Sequence, residues 1–292
     1  MKRNHLLIIV FAFIIALASF AGCSSGGGEA ATEEPAATEE PAATEEQAAP
    51  EEEAPAVSGA VMIAAAASLE NAFEGDLKPL FNAQYPDVTV TGTYDSSGKL
   101  QEQIEGGLEA DIFFSAALKQ MDALVEGGFI DAAAVTDLLL NEVVLITSPQ
   151  SETKVTSFDN ITEAKSIAIG DPASVPAGQY AQEVLTTLGV WDKVESTASM
   201  GTNVTEVLNW VAEGSAEVGI VYATDAASMP DDVKVLAIAS PETMQTPVVY
   251  PVAELIRVTE ENKAATDAFV EFIKSPEAMS VFESYGFKPY EG

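Results

Sequence analysis

The sequence predicts an α/β fold in which mainly parallel sheets are flanked by helices and the folded part divides into two lobes. After residue 57, β-branched apolar runs alternate with helical patterns, as they do in βαβ units. That stretch is about 235 residues long, which is enough for two lobes. This stretch has few types of reactive side chain, because His5, Cys23 and Arg3 lie near the N-terminus and Arg257 is the single arginine downstream.

A folded part without His or Cys, and with one Arg, lacks the side chains that most often serve catalysis and metal binding. The composition therefore favours a binding protein over an enzyme. No catalytic residue, no metal-ligating side chain and no cofactor are assigned.

The expected strands are short apolar runs rich in β-branched residues. They are Val61–Ala65, Val88–Tyr94, Asp111–Ser115, Val143–Thr147, Ile167–Gly170, Val218–Tyr222 and Val233–Ala237. Another strand is expected at Val248–Ile256, where Pro251 argues for an edge position or for two short pieces, since proline has no N–H to donate. The expected helices are Leu69–Gln84, Gly98–Glu105, Leu118–Glu126, Ala177–Leu188, Val204–Glu213 and Glu260–Ser275.

The N-terminus has the pattern of a secretory signal over residues 1–22. Lys2 and Arg3 precede the apolar run Leu6–Phe20, and small residues then lead to Cys23. Small residues directly before a lone Cys resemble a bacterial lipobox, which predicts lipidation of Cys23. An uncleaved N-terminal anchor is the alternative. Both place the rest of the chain outside the cytoplasm.

Residues 23–57 are predicted to be a disordered acidic tether, because a repeat of Ala, Thr, Glu and Pro cannot bury enough surface to fold. Ten of its residues are glutamates. The folded part then keeps 36 acidic and 11 basic residues of the chain's 46 and 13. Such a negative surface disfavours nucleic acid and anionic lipid as partners.

Ligands of open α/β sheets bind beyond the carboxyl ends of the strands, where helix N-termini present free N–H groups. Five strand-to-helix junctions carry small, hydroxyl-bearing or Gly-containing turns there. They are Ala64–Leu69, Tyr94–Leu100, Gly170–Tyr180, Gly201–Val204 and Gly219–Asp225. Each turn alone is typical of a helix cap, but together they suit a compact, fully ionised oxyanion held by neutral donors.

The folded part resembles the extracytoplasmic molybdate-binding proteins of ABC importers, within the bilobal type II periplasmic-binding-protein family. Six motifs in order across residues 60–290 carry the resemblance. They are AAASL (Ala65–Leu69), SSGKL (Ser96–Leu100), ADIFFSA (Ala110–Ala116), GDPASVPAGQYA (Gly170–Ala181), GIVYATDA (Gly219–Ala226) and YGFKP (Tyr285–Pro289).

The resemblance implies a cage for a tetrahedral dianion. It assigns hydroxyl donors to Ser68, Ser97 and Tyr222, and backbone N–H donors to Ala177 and Val204. Asp95 departs from the family, which more often has a small residue there. Strand alternation is expected to turn its carboxylate away from the site.

The resemblance further implies a receptor that captures molybdate, and tungstate with it, between lobes formed by residues 58–143 plus 247–292 and by residues 144–246. The lobes close around a hinge, and the receptor delivers the anion to an ABC permease. A lipid on Cys23 holds it at the outer face of the cytoplasmic membrane, and a monomer is expected. Three alternatives remain open: a sulfate-type or other small-anion receptor, an enzyme acting on a small organic acid, and a surface interaction protein.

Overall fold

The computed structural model describes residues 57–292, which form two helix-flanked sheets. The α/β class expected from the sequence is confirmed. The predicted signal at 1–22, the lipidation site Cys23 and the tether, except for its last residue, lie outside the described residues. Val57, that last residue, packs against the hydrophobic core.

The first sheet has six strands, which in chain order are β1 (Gly59–Ala66), β2 (Val88–Asp95), β3 (Ile112–Phe114), β4 (Thr136–Asn141), β10 (Val248–Glu254) and β11 (Lys288–Pro289). Their order across the sheet is β11-β4-β10-β3-β1-β2. Strand β1 lies between β3 and the edge strand β2 and runs parallel to both. Strand β10 runs antiparallel to β3 and β4.

The second sheet has five strands, which are β5 (Val143–Thr147), β6 (Ile167–Gly170), β7 (Ser199–Gly201), β8 (Val218–Tyr222) and β9 (Lys234–Ile238). Their order across the sheet is β7-β6-β8-β5-β9. Strand β6 runs parallel to β7 and β8, whereas β5 runs antiparallel to β8 and β9. The strands of the first sheet lie within residues 58–143 plus 247–292, and those of the second sheet lie within residues 143–238, so β5 begins one residue before the expected limit at 144. The division into lobes stays a prediction.

Two expectations about the sheets are corrected. Both sheets are mixed rather than mainly parallel, because β10 and β5 each enter a sheet against the direction of their neighbours. Pro251 is not at an edge, since β10 lies between β4 and β3 as a single strand. A register shift between Tyr250 and Pro251 marks a bulge that accommodates a residue without N–H, and the Pro251 carbonyl still accepts from Ser115 N at 3.0 Å.

Most of the helices lie close to their expected positions. They are α1 (Glu70–Ala72), α2 (Lys78–Gln84), α3 (Ser97–Glu105), α4 (Leu118–Glu126), α5 (Pro176–Thr187), α6 (Trp191–Glu195), α7 (Val204–Ala212), α8 (Ala223–Ser228), α9 (Glu260–Ile273) and α10 (Pro276–Ser284). Of these, α6, α8 and α10 were not among the expected helices. The single helix expected at 69–84 is instead helical from residue 67, with a π-helical turn at Phe73–Leu77 between α1 and α2. Helix α9 ends before Ser275, whose side chain accepts from Ala278 N and caps α10.

The core against the first sheet is an aromatic cluster. Phe73 packs at ring-centroid distances of 6.0 to 6.2 Å from Phe114, Phe269 and Phe282. All four rings are fully buried. Within residues 57–292, no helix is both long and apolar enough to cross a membrane.

Candidate functional site

The five residues assigned from the sequence come together at one small cavity of about 200 Å³ of empty space. Ser68 and Ser97 follow strands of the first sheet, while Ala177, Val204 and Tyr222 belong to the second-sheet half of the chain. The remaining lining residues are Ala66, Ala67, Asp95, Ser96, Ala116, Val175 and Pro176. This convergence is a geometric fact, and the ligand-binding role of each residue stays a prediction.

Helix starts supply the backbone donors around this cavity. Ser97 and Val204 are the first residues of α3 and α7, and Ala177 is the second residue of α5. N–H groups in the first turn of a helix have no acceptor within that helix. Three helix N-termini therefore meet at one place, and their partial positive charge favours an anion.

Ser97 is fully buried and its hydroxyl oxygen is held from one side. Its Oγ accepts a hydrogen bond from the Ala116 N–H at 2.9 Å. The hydroxyl hydrogen remains free to donate. Ser97 can therefore act as a donor toward the cavity without leaving the Ala116 amide unpaired.

Two buried hydroxyls that line the cavity, Tyr222 OH and Ser96 Oγ, have no hydrogen-bond partner among the described residues. A buried polar group without a partner costs free energy, so each such group requires an explanation. Burial, and next the nearby Tyr250, Tyr180 and Asp225, hold the pKa of Tyr222 well above its ordinary value. The phenol therefore stays protonated and can donate a hydrogen bond.

Sequence reasoning left Ser96 out of the site. The SSG turn offers two adjacent serines, and the family resemblance selected only the second. The unpaired Ser96 hydroxyl becomes visible only once its burial and surroundings are known.

The expectation that Asp95 turns away from the site is wrong, since Asp95 lines the cavity. It is the last residue of β2, so the pleat no longer fixes the direction of its side chain. Its Oδ1 accepts from Ser96 N at 2.8 Å and from Asn203 Nδ2 at 3.3 Å, and lies 3.6 Å from Lys99 Nζ. These three partners, all on Oδ1, offset part of the negative charge of the carboxylate, which reduces its repulsion of an anion.

The buried carboxyl of Asp225 is hydrogen-bonded to the backbone of Tyr222. Asp225 in α8 accepts a hydrogen bond from Tyr222 N at 3.0 Å. Burial raises the pKa of Asp225 from 3.8 to about 7, and the bond from Tyr222 N only partly opposes that rise. The unfolded chain therefore loses this proton at lower pH than the folded protein does.

We expect Asp225→Asn to flatten the pH dependence of stability. In the parent, Asp225 makes the free energy of unfolding fall as pH rises from 3.8 to about 7, because the folded state retains the proton. The variant keeps an oxygen for Tyr222 N and has no proton to lose. Its melting temperature should exceed the parent's by at least about 2 °C at pH above 7, and this gap should close toward pH 4. A gap independent of pH would contradict the assignment, and Asp231→Asn, on an exposed residue, is the control.

Within residues 57–292, no cluster of three or more His, Cys, Asp or Glu side chains could hold a metal ion. Apart from the Asp95 carboxylate, the polar groups at the cavity are neutral donors: hydroxyls, first-turn amides and the N-terminal ends of helices. Two helix-flanked sheets with such a site at the carboxyl ends of their strands define a protein that binds a small solute.

The chain belongs to the bacterial extracellular solute-binding protein family, whose model matches residues 61–288. It is 37% identical over 278 residues to a Bacillus subtilis (strain 168) protein described as "Putative ABC transporter substrate-binding lipoprotein YvgL", covering 94% of this chain and 96% of the relative. It is 38% identical over 238 residues to the molybdate-binding protein ModA of Escherichia coli (strain K12), covering 80% and 90%.

The fold is also that of the periplasmic molybdate-binding protein of Azotobacter vinelandii. That solved structure aligns with a TM-score of 0.68 and covers 78% of this chain and 98% of its own. At 22% sequence identity, this structural similarity shows only that the fold is shared.

Proposed function

We propose that this protein is an extracytoplasmic receptor that captures molybdate, and tungstate with it, in the cavity between the two sheets and delivers it to an ABC permease. The observation that carries the proposal is the buried Tyr222 hydroxyl, which has no partner among the described residues and lines the same cavity as Ser68, Ser97, Ala177 and Val204. The molybdate-binding relative at 38% identity supports the same ligand.

The donor set favours an anion that carries no proton. Ser68, Ser97 and Tyr222 offer hydroxyl hydrogens, and Ala177 and Val204 offer N–H groups. The Asp95 carboxylate at the wall already has three partners. Molybdate and tungstate present acceptors only, whereas a protonated phosphate brings a hydrogen that needs an acceptor.

Closure of two lobes around the anion is part of the proposal. Lobe 1 comprises residues 58–143 plus 247–292, and lobe 2 comprises residues 144–246. The structure has backbone contact across the division, since Gly98 N donates to Ser174 O at 2.9 Å. A dianion bound by donors from both halves stabilises this closed arrangement relative to an open one.

We further propose that a lipid on Cys23 anchors the receptor at the outer face of the cytoplasmic membrane. The acidic segment at 23–57 then serves as a tether, and a monomer retains its ligand without turnover. The B. subtilis relative, described as a substrate-binding lipoprotein, supports the anchor.

The test is calorimetric titration of the purified chain, without its first 23 residues, with molybdate, tungstate, sulfate and phosphate. Tight one-to-one binding of molybdate and tungstate, with little response to sulfate or phosphate, is the expected result. Sulfate binding as tightly as molybdate would assign the protein to the sulfate-type alternative. No response to any of the four anions would overturn the oxyanion proposal.

A further inference from the structure

A buried chain of hydrogen bonds leads to Ser68 from the back of the cavity. Asn141 Nδ2 lies 3.2 Å from Tyr250 OH, which in turn lies 2.8 Å from Ser68 Oγ. Asn141, Tyr250 and Ser68 are all buried, Tyr250 completely. Asn141 and Tyr250 are not lining residues of the cavity, so their influence on a ligand is indirect. Tyr250 reaches the cavity through its hydrogen bond to Ser68 and through its ring contact with Tyr222, at a centroid distance of 5.8 Å, and a test must separate these two routes.

The direction of the first bond is fixed by the Asn141 amide. Its Oδ1 accepts from the backbone N–H of Glu142 at 2.9 Å, and a backbone N–H can only donate. The other end of the amide is therefore the NH₂ group. That group donates to Thr224 Oγ1 at 2.9 Å and to Tyr250 OH.

The direction of the second bond follows from the first. Because the Tyr250 oxygen accepts from Asn141, its hydrogen must find another acceptor, and Ser68 Oγ is the neighbour at hydrogen-bond distance. Burial keeps the pKa of Tyr250 well above its ordinary value, so that hydrogen stays on the phenol. Ser68 then accepts from Tyr250, and its own hydroxyl hydrogen is left for the cavity.

We propose that Tyr250, oriented by Asn141, is a positioning residue that fixes Ser68 as a hydrogen-bond donor to the ligand. This inference rests on the proposed oxyanion function. It adds a specificity element, because a serine held as donor favours a fully deprotonated oxyanion. A serine free to reorient can also accept a hydrogen from a protonated one.

A double-mutant cycle on the chain without its first 23 residues tests whether Tyr250 acts through Ser68. We expect Tyr250→Phe to weaken molybdate binding by about tenfold, in line with hydrogen bonding to a charged group. The same substitution made in a Ser68→Ala background should change affinity by less than about twofold. An equal loss in both backgrounds would overturn the inference, because Tyr250 would then act on the fold rather than on the Ser68 hydroxyl.

The selectivity between two anions is a measurement that a purely structural role of Tyr250 would leave unchanged. At mildly alkaline pH molybdate carries no proton, whereas arsenate of comparable shape carries one. We expect Tyr250→Phe to lower the preference for molybdate over hydrogenarsenate by about fivefold or more. An unchanged ratio of the two affinities would overturn the inference.

Two controls keep the outcomes separable. Tyr285→Phe also removes one hydrogen-bonded phenol hydroxyl, which donates to Asp76 Oδ2 at 2.7 Å on the surface, and should leave affinity unchanged. If Tyr250→Phe does not fold, Asn141→Ala removes the orienting donor and should lower the molybdate preference in the same direction. Failure of the parent protein to bind molybdate would refute the proposed function itself, whereas normal parent binding with additive variants refutes only the role of Tyr250.

Discussion

Replacing Gly98 with alanine is expected to weaken molybdate binding by at least about a hundredfold. A Cβ at this position would lie 2.7 Å from Ser174 Cα and 2.9 Å from its carbonyl carbon, and closer still to the carbonyl oxygen. All three are backbone atoms, so the clash is not relieved by a side-chain rotation. The contact joins the first turn of α3 to the loop after β6, where the two proposed lobes meet.

The physical reason for so large an effect is that closure brings the donors of both halves to the anion. A protein unable to close retains the donors of only one half, and each lost hydrogen bond to a charged group costs about 1.5–3 kcal/mol. Losing two or more such bonds corresponds to a hundredfold or greater loss of affinity. Alanine is a better helix former than glycine, so α3 itself should not be weakened.

Calorimetry on Gly98→Ala checks the affinity, and small-angle scattering with and without molybdate checks the compaction. The matched control is Gly106→Ala at the end of the same helix, where the backbone has right-handed helical angles and the nearest Cβ contact is 3.2 Å. The control should bind normally. Binding by Gly98→Ala within about threefold of the parent would show that closure does not depend on this contact.

Replacing Tyr222 with phenylalanine is expected to weaken molybdate binding by tenfold to a hundredfold while leaving the unliganded protein no less stable. The buried phenol hydroxyl has no partner among the described residues, so its removal breaks no hydrogen bond seen in the structure. In the liganded protein, the substitution removes one hydrogen bond to a charged group, which costs about 1.5–3 kcal/mol of binding free energy. The signature is therefore a smaller rise of the melting temperature on adding molybdate, with no drop in its absence.

Thermal unfolding with and without molybdate measures both halves of this prediction. Tyr250→Phe is the contrasting variant, since the same atom is removed from a hydroxyl that contacts Ser68 and Asn141. It should lower the melting temperature of the unliganded protein by about 2–4 °C. A comparable drop in Tyr222→Phe would mean that its hydroxyl is already paired within the protein.

Much of the fold and of the candidate site could be predicted from local sequence patterns. The strands at Val143–Thr147, Ile167–Gly170 and Val218–Tyr222 have the bounds expected from their apolar runs. Such runs are buried on both faces, so composition and length identify them without knowledge of their neighbours. The elements β4, β7, α6, α8, α10 and β11 were not expected. Few residues carry little periodicity, which explains β7, α6, α8 and β11 but not β4 and α10, which are as long as elements that were predicted.

In the candidate site, too, features that depend on local sequence could be predicted, and features that depend on distant residues could not. The residues at the junctions could be found because a strand end followed by a small or hydroxyl residue and a helix start is a local pattern. Asp95 could not be placed, because its direction depends on Asn203, which is 108 residues away. The unpaired Ser96 and Tyr222 hydroxyls also depend on what surrounds them after folding.

The α/β class, the strand-to-helix junctions and a donor chemistry without His or Cys follow from the sequence alone, since these depend on composition and on neighbours along the chain. By contrast, the mixed sheets, the position of Pro251 inside one of them, and the hydrogen bond between Ser68 and Tyr250, 182 residues further on, emerge only from the folded structure. The direction in which strands pair and the long-range hydrogen bonds arise when distant segments pack together. Local periodicity does not predict which segments will contact each other.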